Sequence, residues 1–321
     1  MKDLIANLKE HYQDILYQGE LYEGKRKCQD RWDIIKPHIR PHDVVLDIGS
    51  STGYFAIQIA RMFPDSLVVS FESSEEDCQV QKKILKDEGI YNVVLCQHRL
   101  CPEDLLKWSR HVEIFDVTLL LSVLHHLPEG KVEMGLEAIR DLSKVIICEL
   151  PNDEEREACG QKALREASRL LGAIDGQWLG STGSHLGYER NVEMFLGNNE
   201  KKNLDAYFGV DHIDRHKFNV ESGKINDKFI IKGVNVWNLL HFNIIWPEPY
   251  WWITQAKSAY ECLDFKSDVR PWNLLRTANN LVAVDTQTKF PQGDQAEYKE
   301  DDIRKLIKLF SQMKPIDWRQ L

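Results

Sequence analysis

The sequence predicts an α/β fold in which a mostly parallel sheet is wrapped on both faces by helices. Three observations carry that expectation. Apolar strand patterns alternate with amphipathic helix patterns from residue 43 to residue 171. The first strand runs into a glycine-rich turn that opens a helix, Val44-Val45-Leu46-Asp47-Ile48-Gly49-Ser50-Ser51-Thr52-Gly53-Tyr54-Phe55. The second strand, Leu67-Val68-Val69-Ser70-Phe71-Glu72, ends in a carboxylate nineteen positions after Gly53.

Taken in order, the first forty residues read as two helices, Leu4 to Tyr17 and Lys25 to Lys36, the second stopped by Pro37. Strands follow at 43–48, 66–72, 91–97 and 115–121, with helices at 52–63, 74–88, 102–109 and 129–142 between and after them. The run Val145 to Leu150 is a further buried strand, Asp153 to Leu171 a long polar helix, and Leu186 to Leu196 a last, antiparallel strand. The chain then divides into a helical flank at 1–40, a cofactor-binding domain at 41–196 and an accessory domain at 197–321.

The turn after the first strand points to a nucleotide-type cofactor. Glycine is needed where the backbone bends sharply beside a ligand, and the helix that follows aims its unpaired N–H groups at that place. The spacing lacks the three glycines of the dinucleotide fingerprint G-x-G-x-x-G. A carboxylate at Glu72 suits the two hydroxyls of a ribose, at the distance from the turn that such folds require. In an open α/β sheet ligands bind at the carboxyl ends of the strands, so His98-Arg99 after the third strand and Ser122 to His126 after the fourth join the same pocket.

The spacing of Asp47, Gly49 and Gly53 resembles motif I of the class I S-adenosylmethionine (SAM) methyltransferases, D-x-G-x-x-x-G. That resemblance implies a Rossmann-like fold with a mostly parallel seven-stranded sheet, SAM as cofactor, and a cofactor site formed by Asp47, Gly49, Ser50, Gly53, Tyr54, Phe55, Glu72, Arg99 and Ser122. It also places the segment after strand four against the methyl group. His125 or His126 then serves as base for a hydroxyl acceptor, whereas a phosphate oxygen needs no base and calls for a guanidinium such as Arg99 or Arg190. The histidine pair is no metal site by pattern, since no third ligand stands at a recognisable spacing.

Further residues narrow the resemblance. Arg26, Cys28, Arg31 and Asp33, the string Leu121-Ser122-Val123-Leu124-His125-His126-Leu127, and the strand ending in Glu149-Leu150 resemble the methyltransferase domain of the bifunctional methyltransferase-kinases that terminate polymannose O-antigen chains. The likeness covers roughly residues 10 to 196 and implies a glycan, sugar or sugar-phosphate acceptor in polysaccharide biosynthesis. Two other readings share the cofactor half: an RNA or small-molecule methyltransferase, and a noncatalytic SAM-binding interaction protein.

Composition bounds these readings. The formal charge of −9 over 321 residues argues against a nucleic-acid partner, because a phosphate backbone calls for a basic face. Seven scattered cysteines without a C-x-x-C pair read as reduced thiols of a cytoplasmic protein. The start of the sequence has no apolar signal core, and no run is long enough to span a membrane.

In the tail, Asp268 and Asn273 have the D-x-x-x-x-N spacing of a kinase catalytic loop, and Asp285 falls where a magnesium-binding aspartate would stand. Residues 197 to 267 hold no glycine-rich phosphate cover, and Lys228 or Lys232 is the nearest approach to a nucleotide lysine, so no phosphoryl transfer is expected. Six of nine tryptophans lie here, which favours a compact core over a sugar-stacking face. The tail is expected to dock on the preceding domain and shape the acceptor site, and truncation after Leu196 to spare SAM binding.

Overall fold

The computed structural model describes residues 4–5, 11–111, 115–128, 130–152, 154–155, 162–198, 218–219, 224–225, 229–230, 233–239, 242, 244–245, 251–252, 254–255 and 274–283. Its centre is an eight-stranded sheet. Five strands run parallel: β3 (Val44–Ile48), β4 (Leu67–Glu72), β5 (Val93–Gln97), β6 (Phe115–Leu121) and β7 (Ser143–Pro151). Two antiparallel strands, β8 (Gly176–Gly183) and β9 (Glu189–Leu196), complete one side, and the order across them is β5-β4-β3-β6-β7-β9-β8. The order reverses between β4 and β6, on either side of β3, and the switch point there opens a crevice above the strand ends.

The apolar strand runs are continuous because helices cover both faces, and alternate side chains divide between them. Val44, Leu46, Ile48, Val69 and Phe71 enter one core with Leu105, Trp108, Leu136 and Ile139 from α4 (Pro102–His111) and α5 (Val132–Leu142). Val45, Val68, Leu95, Val117 and Leu119 enter the other with Trp32, Phe55 and Ile84 from α1 (Gln29–Ile35), α2 (Tyr54–Met62) and α3 (Glu75–Asp87). Ser74 caps α3, its hydroxyl accepting the Asp77 N–H at 3.2 Å. The helix expected from Asp153 to Leu171 is described as α6 (Lys162–Leu171), with Glu154 and Glu155 also helical.

Two expectations need correction. Ile15–Tyr17 and Glu20–Tyr22 form an antiparallel hairpin, β1 and β2, where a helix to Tyr17 was expected; Gln18 and Gly19 turn it with positive φ. Tertiary anchoring overrides the helical periodicity, since Ile15 is buried in the second core and Asp14 accepts the N–H groups of Gly24 and Cys28. The single last strand expected at Leu186–Leu196 is instead a pair, because Gly176–Gly183 folds back on Glu189–Leu196. Its glycines and exposed Gln177 and Trp178 hid the alternation.

The tail contributes β10 (Ile244–Ile245), the eighth strand, antiparallel to β5 with Ile244 opposite Cys96. Val234, Phe242, Trp252, Leu274 and Leu281 belong to the same core as Val69 and Phe71. The described tryptophans of the tail thus act as core: Trp252 is buried and Trp251 packs against it. Asp268, Asn273 and Asp285 lie outside the described residues, as do Lys228 and Lys232. No helix among the described residues is long and apolar enough to cross a membrane.

Candidate active site

A cavity of about 580 Å³ opens above the carboxyl ends of β3, β4, β5 and β6, a size ordinary for a small-molecule site. One end is made by the glycine turn. Gly49, at φ +72°, and Ser50 both donate their N–H groups to the Phe71 carbonyl, which folds the loop back over β4. A side chain at Gly49 would press on Val123 at 2.8 Å and would be strained at that φ. Gly53 also has positive φ, but what its missing side chain spares is Gln81, at 2.6 Å. Ser50 is equally internal: its hydroxyl accepts from Ser70 and from Gln81.

Glu72 lines this end. Its Oε1 accepts from the Ser73 and Ser74 N–H groups and the Ser73 hydroxyl, while among the described residues Oε2 accepts only from the Ser51 N–H, at 2.7 Å. Oε2 therefore keeps acceptor capacity for a ribose hydroxyl. Asp47 is buried beneath the loop. Burial first, and then the charge of Glu72, pushes its carboxyl up to about 7, and among the described residues Oδ2 makes no hydrogen bond. Tyr54 donates to Gln29 at 3.1 Å, and Phe55 packs in the core under the Arg31 guanidinium. Asp47, Ser50, Gly53, Tyr54 and Phe55 thus shape the loop from behind, and Gly49, Ser51, Glu72, Arg99 and Ser122 line the cavity.

The other end rests on a buried charge network. Glu149, at the end of β7, accepts from Arg26, from Thr182 at 2.9 Å and from Ser122 at 2.5 Å, with Arg31 at 3.6 Å. Burial would raise its pKa, but the guanidiniums of Arg31 and Arg26 hold it below the usual carboxylate range. Arg190 on β9 donates to Ser122 at 2.6 Å and grips Glu155 through Nε and Nη2 at 2.8 and 2.5 Å. Ser122 sits at φ +62°, a strained backbone held by these two bonds. Arg26, Arg31 and Glu149, singled out by resemblance alone, are therefore one cluster that fixes the loop after β6.

Above that network the cavity is lined by Tyr12, Gln13, His126, His185 and Arg190. Gln13 is 3% exposed, and among the described residues its Oε1 has no hydrogen-bond partner. Tyr12 meets His185 edge-on at 5.4 Å, and its hydroxyl is 3.5 Å from Arg190 Nη1. Burial and the nearby Arg99 lower the pKa of His126; burial and Arg190 lower that of His185. The side chain of His125 lies outside the described residues. Sequence reasoning missed Tyr12, Gln13 and His185, which come from a hairpin arm and from the β8–β9 turn; no local motif marks either.

An open parallel sheet with its cavity at the switch point, an acid ending its second parallel strand and an antiparallel pair at one side define the class I methyltransferase fold. Residues 39–174 match the family model of a methyltransferase domain, a class whose methyl donor is SAM. No curated protein matches the chain by sequence. Among solved structures, the chain is similar to a medium-resolution structure of the bifunctional kinase-methyltransferase WbdD, at 16% identity and TM-score 0.51 over 100% of this chain and 96% of that one. A 2.2 Å structure of WbdD gives 16% identity and TM-score 0.50 with the same coverage. The N-terminal domain of EvdMO1 with SAH bound gives 16% identity and TM-score 0.42 over 61% of this chain and 94% of that one.

Proposed function

We propose that the chain transfers a methyl group from SAM to an oxygen of a glycan, sugar or sugar phosphate. One observation carries the reading: a single cavity has Gly49 and Glu72 at one end and Tyr12, His126, His185 and Arg190 at the other. The first end fits SAM, since Gly49 lines it without a side chain and Glu72 Oε2 has capacity for a ribose hydroxyl. When bound, SAM supplies an already activated methyl on its sulfonium.

The residues of the chain then have three tasks: to align the acceptor oxygen, exclude water and take a proton where there is one. Arg190, held above its ordinary pKa by Glu155 against the effect of burial, keeps its charge and orients the acceptor. His126 and His185, both shifted towards the neutral form, are suited to accept a hydroxyl proton at a ring nitrogen.

Calorimetry with SAM tests the cofactor half, and incubation with methyl-labelled SAM and a panel of sugars, sugar phosphates and oligosaccharides tests the acceptor half. A proton-accepting histidine changed to Asn is expected to lower kcat by about 10²-fold or more. Equal, negligible effects at both positions would favour a phosphate oxygen. Labelling of RNA alone would refute the glycan reading, and failure to bind SAM would refute the whole.

A further inference from the structure

The tail enters the molecule beside the cavity. Ile244–Ile245 extends the sheet past β5, and two residues earlier Phe242 is buried among three rings. It meets Phe71 edge-on at 4.8 Å and 88°, Trp108 at 5.2 Å and His98 at 5.2 Å. Phe71 and His98 line the cavity, on the strand that ends in Glu72 and just past the next strand. The His98 N–H donates to the Glu72 carbonyl at 2.8 Å, so the position of His98 and that of the ribose-binding acid are tied through one backbone bond.

A second anchor holds the same strand from its other end. Arg276, on β11 (Leu274–Arg276), donates to the Tyr91 carbonyl, two residues before β5 begins. Its guanidinium lies over Trp251 at 4.4 Å and over Trp252 at 5.3 Å, and Trp251 stacks on Tyr91 at 6.1 Å. The tail thus grips β5 before its first residue, along its edge and beyond its last. Packed interiors transmit a lost contact as displacement to its immediate neighbours, so Phe71 and His98 depend on the ring packed against them, whereas the Arg276 anchor lies remote from the cavity.

We propose that the tail is a working part of the SAM site, with Phe242 the positioning residue that fixes Phe71 and His98 as the wall beside the ribose. Phe242 itself does not line the cavity; it acts through the two residues that do. The inference rests on the reading of this cavity as the SAM site. It also reverses the expectation that the chain cut after Leu196 keeps SAM binding.

The full-length chain carrying Phe242→Leu, which keeps apolar bulk and loses the edge-to-face geometry, is compared with Arg276→Lys, which weakens the anchor remote from the cavity. In ligand-free protein, Phe242→Leu should speed hydrogen exchange at the His98 amide and, by calorimetry, weaken SAM roughly tenfold. Arg276→Lys should lower the unfolding temperature and, well below it, leave SAM affinity within about twofold. Unchanged exchange and affinity in Phe242→Leu would overturn the proposal, as would equal losses of affinity in both variants, which would mark a general effect of stability. Absence of SAM binding by the unaltered chain would defeat the underlying reading of the cavity and this proposal with it, and is recognised because it precedes any substitution.

Discussion

The two ends of the cavity are built by opposite means. The end of the cavity proposed for SAM is backbone: a turn at Gly49, two N–H groups folded onto the Phe71 carbonyl, and three more N–H groups that orient Glu72, all drawn from residues 47 to 74. The end proposed for the acceptor is side chains drawn from across the chain, with Arg26 reaching Glu149 and Thr182, and Arg190 reaching Tyr12. Backbone dipoles need little neutralisation, whereas three guanidiniums and two carboxylates buried together survive only while each has a partner. The first end should therefore tolerate loss of a charge better than the second.

The largest test of that contrast is Glu149→Gln. Removing the carboxylate leaves Arg26 and Arg31 buried beside a neutral group, and breaking a buried pair on one side costs about 3–5 kcal/mol. The midpoint of urea denaturation should fall accordingly, with the loop carrying Ser122 disordered by the loss of its bond. A loss under about 1 kcal/mol would show that the network is not the support of that end.

Next in size is the effect of pH on Asp47, the one carboxylate under the SAM loop that lacks a compensating cation at hydrogen-bond distance among its described partners. Its ordinary value is 3.8 and its folded value about 7. Between them the folded state keeps a proton that the unfolded state has released, so this group's contribution makes stability fall as pH rises from 4 towards 7. The full penalty, at most about 4 kcal/mol, is present above the folded value. Asp47→Asn should flatten that part of the stability profile; an unchanged slope in urea titrations at pH 5 and 7.5 would show that Asp47 is ionised throughout.

Legibility in the sequence follows the same division. Gly49 and Glu72 were readable because the strand, the turn and the acid obey fixed local spacings, and the five parallel strands because apolar runs and helix periods alternate. Tyr12, Gln13 and His185 were not, because nothing near them in sequence says that a hairpin arm meets the β8–β9 turn. The tail strand Ile244–Ile245 is two residues long and has no period to read. Arg26, Arg31 and Glu149 were visible by resemblance, but their convergence on one another was not.

Glu72→Ala tests the SAM end directly. Losing its hydrogen bonds to ribose hydroxyls should weaken SAM by about 1.5–3 kcal/mol, the range for bonds to a charged group. Stability should change less than in Glu149→Gln, because the freed Ser51 and Ser73 N–H groups lie at the cavity, where water replaces the carboxylate. Unchanged affinity by calorimetry would remove Glu72 from the site and with it the contrast between the two ends.

The smallest effect is expected at Tyr54, which the motif alone assigns to the cofactor and the structure packs behind the loop. It is 4% exposed, does not line the cavity, and spends its hydroxyl on Gln29 of α1 at 3.1 Å. Tyr54→Phe removes that bond and nothing that SAM can touch. Stability should drop by about 1 kcal/mol, the net worth of one neutral hydrogen bond, and SAM affinity should stay within about twofold. A larger loss of affinity would mean that α2 rotates or shifts on binding so that its first residue reaches SAM, and that the backbone end of the cavity is less preformed than Gly49 and Glu72 make it.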